Sequence, residues 1–139
     1  METVVRIEIE PSFERGLAIT LSCEAGRTRE EDACSMELSI DDMPPVRVDR
    51  AKAEEVIALA REATVCPLGE WSCGLDGTTF RLTIEQGFSR SQFEWWCDLP
   101  VQWQSFRKLF AAMENLMRKT YPNYDLRLSP DANDKLPTR

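Results

Sequence analysis

Apolar and polar positions alternate over residues 4–10, where Val5, Ile7 and Ile9 interleave with Arg6, Glu8 and Glu10. A period of two sends successive side chains to opposite faces, so this segment predicts a strand with one face in a core and one in water. Leu17, Ile19, Leu21 and Cys23 alternate with Ala18, Thr20 and Ser22 and predict a second strand. Pro11 and Gly16 bracket a connection short enough for a hairpin. A third strand is predicted over residues 35–40, with Met36, Leu38 and Ile40 on one side.

The run Asp41-Asp42-Met43-Pro44-Pro45 ends that pattern. A Pro–Pro step holds the chain extended and supplies no N–H to a ladder. A short extended Val46-Arg47-Val48 leads to Asp49, a suitable N-cap, and the pattern then changes period. Ala53, Val56, Ile57, Ala60 and Ala63 recur at helical spacing and predict a helix from Arg50 to about Ala63. Residues 64–74 are irregular, broken by Pro67, Gly69 and Gly74.

Alternation returns over residues 78–85 (Phe80, Leu82, Ile84) and 92–97 (Phe93, Trp95, Cys97), with a turn over 86–90 containing Gly87, which predicts a hairpin. Asp98-Leu99-Pro100 opens a second helix, whose stripe is Trp103, Phe106, Phe110, Met113 and Met117 and whose end is Tyr121-Pro122. The order is β-β-β-α-β-β-α. It predicts an α+β fold: an antiparallel sheet of about five strands with two helices on one face. Residues 1–126 form one domain in this reading, and 127–139 a polar, mobile tail.

Composition narrows the chemistry. The 139 residues include no histidine, which excludes imidazole-based triads, His-containing zinc sites and imidazole pH switches. Residues 1–70 carry 16 acidic and 8 basic side chains, and residues 71–139 carry 8 and 9, so the net charge of −7 arises in the first half. An acidic chain lacks the basic face that nucleic acid requires. No apolar run approaches the roughly 18 residues of a membrane helix, and the N-terminus does not read as a secretory signal. These features point to a cytoplasmic protein. Cys23, Cys34, Cys66, Cys73 and Cys97 are odd in number and include no CxxC, so all five are expected as free thiols, with pairing or redox activity of Cys66 and Cys73 the alternative.

No phosphate-binding glycine loop, nucleophile elbow or calcium loop is present, and no cofactor or metal is expected. Glu70, Asp76, Glu94 and Asp98 fall near one end of the predicted hairpin and are the candidates for carboxylate catalysis. The densest charge is Glu30-Glu31-Asp32 and Asp41-Asp42, flanking the third strand. These five, read as a patch that steers a basic protein, are the candidate partner-binding residues. Trp96 joins them, because parity sets it on the polar side of the hairpin, either covered by residues 67–71 or exposed as an anchor.

Gly74-Leu75-Asp76-Gly77-Thr78-Thr79-Phe80, then Trp95-Trp96, then Pro100 and Trp103, resemble a block found in small uncharacterised bacterial proteins. These share a G-x-D-G-T-x-aromatic strand, a Trp-Trp strand and a P-x-x-W helix start. Some lie near toxin genes and are regarded as immunity proteins. The resemblance covers about residues 74–117; with the small size, the acidity and the lack of a catalytic constellation or export signal, it points to a non-enzymatic protein-binding domain, an immunity-type inhibitor that occludes a toxin. A homo-oligomeric structural or regulatory module, and an enzyme using the hairpin carboxylates, are the rival readings.

Overall fold

In the computed structural model, residues 2–26, 28, 32–39, 43–70 and 72–132 are described. Six antiparallel strands form one sheet: β1 (Glu2–Pro11), β2 (Leu17–Glu24), β3 (Ala33–Leu38), β4 (Val46–Arg47), β5 (Thr78–Gln86) and β6 (Ser89–Trp96). Helix α1 (Arg50–Glu62) follows β4, and α2 (Phe106–Thr120) follows β6 after a short 3₁₀ turn at Val101–Trp103. The spatial order is β4-β3-β2-β1-β5-β6, so β1 lies inside the sheet between β2 and β5.

The alternating positions become the core. Val5 and Ile7, Ile19 and Leu21, Met36 and Leu38, Phe80 and Leu82, and Trp95 all face the helices. They pack against Ala53, Val56, Ile57 and Ala60 of α1 and against Phe106, Leu109, Phe110 and Met113 of α2. Asp49 caps α1 by accepting the Lys52 N–H. Both helices therefore cover one face, as the pattern predicts.

Four details depart from the sequence reading. Val46 and Arg47 pair with Met36 and Ser35 as a sixth, edge strand, too short to show a period. The β5–β6 hairpin is tighter than predicted: Gln86 pairs with Ser89 around Gly87 and Phe88, and Gly87 takes a φ of 58°, where a side chain would be strained. The second helix starts at Phe106, with the 3₁₀ turn after Pro100 preceding it. Residues 127–132, read as tail, are packed: Leu128 is buried, Trp95 Nε1–H donates to the Pro130 carbonyl at 2.9 Å, and Ala132 N–H donates to the Cys97 carbonyl at 2.6 Å.

The expectation of five free thiols is also corrected. Cys23 and Cys34 form a disulfide, leaving Cys66, Cys73 and Cys97 free. The two half-cystines are direct register partners on β2 and β3, with Cα atoms 4.2 Å apart. The Cys34 carbonyl accepts from Val48 N–H on its other side, so the Cys23–Cys34 pair is of the narrow, non-hydrogen-bonded kind that brings side chains closest.

Away from the helices the sheet presents a polar face. Glu8, Arg81 and Glu94 stand in register across β1, β5 and β6. Arg81 bonds Glu8 at 2.6 Å and Glu94 at 3.4 Å, and Arg6 bonds Glu8 and Thr20, each at 2.7 Å. Burial pushes the Glu8 carboxyl pKa up. Hydrogen bonds and charge from Arg6 and Arg81 outweigh it and hold the carboxyl below its ordinary value.

Candidate functional site

Along β6 the odd positions point to the helices and the even ones to the polar face. Trp95 accordingly stacks on Phe80 with ring centroids 5.5 Å apart, while Trp96 turns outward. The cover over Trp96 comes from residues 74–77. A Cβ placed on Gly74 or on Gly77 would overlap the indole, so the two glycines let the backbone lie directly on the ring. Ser12 fixes this turn from the neighbouring loop: its Oγ donates to the Gly77 carbonyl at 2.7 Å and accepts the Gly77 N–H at 3.0 Å. Trp96 is half-buried as a result.

Residues 67–70 cover a different tryptophan. A Cβ on Gly69 would come within 2.8 Å of the Trp103 ring. Trp103 Nε1–H donates to the Cys66 carbonyl at 2.9 Å, and Glu70 N–H donates to Gln102 Oε1 at 3.2 Å. Between this loop and β6 lies a cleft of about 240 Å³, with Leu68, Trp96, Glu70, Glu94 and Asp98 among its walls. Three of the four candidate carboxylates thus share a cleft, and Asp76 lies apart from it, exposed on the glycine turn. Indole surface beside carboxylates suits cationic, donor-rich groups. Among the described residues no cluster of three metal-ligating side chains occurs.

The loops around the cleft share one end of the sheet, where β1 and β6 finish and β5 begins. They carry Phe13, Leu68, Leu75 and Val101, all exposed, with Leu75 98% and Phe13 85% accessible. Glu14, Glu70, Asp76 and Asp98 are interspersed among them. A cavity of about 710 Å³ lies between α2 and residues 125–132. Three of its charged groups are engaged locally: Arg107 pairs with Asp131, and Glu114 accepts the Leu128 N–H.

Of the acidic residues singled out from the sequence, Glu30, Glu31, Asp41 and Asp42 lie outside the described residues. Asp32 is committed locally, accepting the Gly26 N–H at 2.7 Å and pairing with Arg50 at 2.5 Å. It immediately precedes β3, whereas Ser39 follows the other end, so the length of a six-residue strand, about 20 Å, separates Asp32 from Ser39. Trp96 was marked by parity alone. The exposure of Phe13, Leu68, Leu75 and Val101 escaped sequence reasoning, because an apolar loop residue reads identically whether covered or bare.

No helix among the described residues is long and apolar enough to cross a membrane. No family model matches the chain, and neither a curated protein nor a solved structure matches it.

Proposed function

We propose that this chain is a non-enzymatic protein-binding domain of the immunity-inhibitor kind, which occludes a basic toxin. One observation carries this reading: the loops at one end of the sheet carry four exposed apolar side chains, several carboxylates and a glycine-seated tryptophan. Clustered exposed apolar groups rimmed by charge characterise protein interfaces, and aromatic anchors supply most of their energy. The net charge of −7 adds long-range attraction for a basic partner. The resemblance of residues 74–117 to small bacterial proteins regarded as immunity proteins supports the toxin as that partner, and a cytoplasmic setting is part of the proposal.

The test uses the product of any toxin-like gene adjacent to this one. Purified with this chain, it should form a complex whose association rate falls steeply with salt. Phe13→Ser combined with Leu75→Ser should raise the dissociation rate about tenfold or more while leaving the fold intact. Unchanged kinetics in that variant would overturn the assignment of this surface.

A further inference from the structure

The outer edge of β6 has no strand paired to it among the described residues. Cys97 N–H donates to the Thr78 carbonyl, and Gln86 and Ser89 close the hairpin, so the odd residues of β6 direct their backbone groups at β5. The even residues direct theirs away. Among the described residues, the backbone N–H and C=O groups of Arg90, Gln92 and Glu94 have no hydrogen-bond partner, and only at Trp96 does Asp98 N–H close the row by taking the carbonyl. Such a row is a template for another strand.

We infer that this edge pairs with the β6 edge of a second copy of the chain, antiparallel, about a two-fold axis at Gln92. The strand's own sequence selects that partner and that register. With Gln92 facing Gln92, Arg90 of each chain lies opposite Glu94 of the other, and both sets of outward backbone groups meet in hydrogen-bonded pairs. Moving the axis to Ser91 sets Arg90 against Gln92, and moving it to Phe93 sets Arg90 against Trp96; neither matches the charges. A one-residue slip turns the side chains to the wrong face.

The same register accounts for Phe88, the most exposed large apolar side chain among the described residues. It falls opposite Trp96 of the other copy, beside the cleft of about 240 Å³. Cavities of about 150 Å³ hold a benzene ring, so a phenyl group fits. Arg90 and Glu94 are themselves exposed and their present ion pairs are long, Arg90 with Glu85 at 3.3 Å and Glu94 with Arg81 at 3.4 Å, and can be exchanged. The paired strand leaves Phe13 and Leu75 outside the interface but shares Trp96 and the cleft with the proposed toxin surface, so the Phe13→Ser/Leu75→Ser variant should still self-associate while losing the toxin.

Sedimentation equilibrium on the full chain, from micromolar to submillimolar concentration, should show a species of twice the 16.0 kDa chain mass. Gln92→Pro removes an outward N–H and the long Arg90–Gln92 side-chain bond but no bond to β5, so it should abolish that species with an unchanged far-ultraviolet spectrum. Arg90→Glu and Glu94→Arg should each weaken self-association about tenfold or more by opposing like charges. Mixed in equal amounts, these two variants should dimerise with each other, because every facing pair is then complementary; this result remains decisive if the proline variant fails to fold. A wild-type chain that stays monomeric, a folded Gln92→Pro chain that still dimerises, or a mixture no more associated than its components would each overturn the inference.

Discussion

At one margin of the sheet β4 is two residues long and follows Pro44-Pro45; at the other β6 runs eight residues with no proline. A short strand behind prolines offers almost no ladder to a foreign chain. The Tyr121 hydroxyl further closes that margin by donating to the Met36 carbonyl at 2.9 Å. The elements behind the margins differ as well. β3 is tied to β2 by the Cys23–Cys34 bond, whereas β6 is held by a cluster of Phe80, Phe93, Trp95, Trp103, Phe106 and Phe110. One side is locked and blunted. The other is anchored from beneath and left open, which is what an edge used for pairing requires.

The largest test of this contrast removes the aromatic anchor. Trp95→Ala deletes the stack on Phe80 and the bond to Pro130, and should cost about 3–5 kcal/mol in denaturant unfolding. A loss under about 1 kcal/mol would mean that β6 is held by something else. On the locked side, Cys34→Ser should cost about 2–4 kcal/mol. Alkylation in denaturant should add three groups without reductant, matching Cys66, Cys73 and Cys97. Five adducts without reductant would remove the lock from the comparison.

A smaller effect probes the glycine seat on the open side. Gly77→Ala should cost about 1–3 kcal/mol by driving a methyl group into the Trp96 ring. In a Trp96→Ala background most of that cost should disappear, and an additive result would show that the ring is not what the glycine accommodates. Tyr121→Phe should cost about 0.5–1.5 kcal/mol, the value of its hydroxyl on Met36.

The smallest effect is electrostatic. Because the Glu8 carboxyl is held below its ordinary value in the folded chain, its contribution is complete above the unfolded carboxylate pKa. That contribution is lost as pH falls through the folded value. Acid titration of unfolding free energy should therefore be shallower in Glu8→Gln than in wild type, and identical slopes would show that the pair with Arg81 and Arg6 is worth nothing.

The two sides were not equally legible from sequence. Strict alternation in β1, β2 and β5 and the helical stripes of α1 and α2 express burial of one face, which depends only on local spacing. β4 has no period to show. The Cys23–Cys34 bond depends on the register of two strands across a charged loop, a tertiary property that cysteine spacing does not encode. Gly74 and Gly77 read locally as turn residues, whereas their tightest constraint is an indole distant in sequence. Leu128 continues an apolar alternation with Tyr124 and Leu126, but the run is short and bracketed by Pro122 and Pro130, so it reads as tail although all three side chains pack on the core. For the candidate site, parity identified Trp96 and proximity to the hairpin identified Glu70, Glu94 and Asp98. The charge count, by contrast, drew attention to Asp32, whose carboxylate is already engaged by Arg50 and Gly26.

The interior place of β1 has a consequence for the order in which the chain is made. Its first neighbour, β2, follows within a few residues, but its second, β5, ends only at Gln86. At about 5–20 residues per second, synthesis leaves the far side of β1 unpaired for several seconds while β2, β3 and α1 emerge. During that interval the nascent protein presents a ten-residue strand with a bare flank and an apolar face. Arg6, Glu8 and Glu10 on its other face then serve as gatekeepers against stray pairing on the ribosome before they join the finished ion-pair ladder.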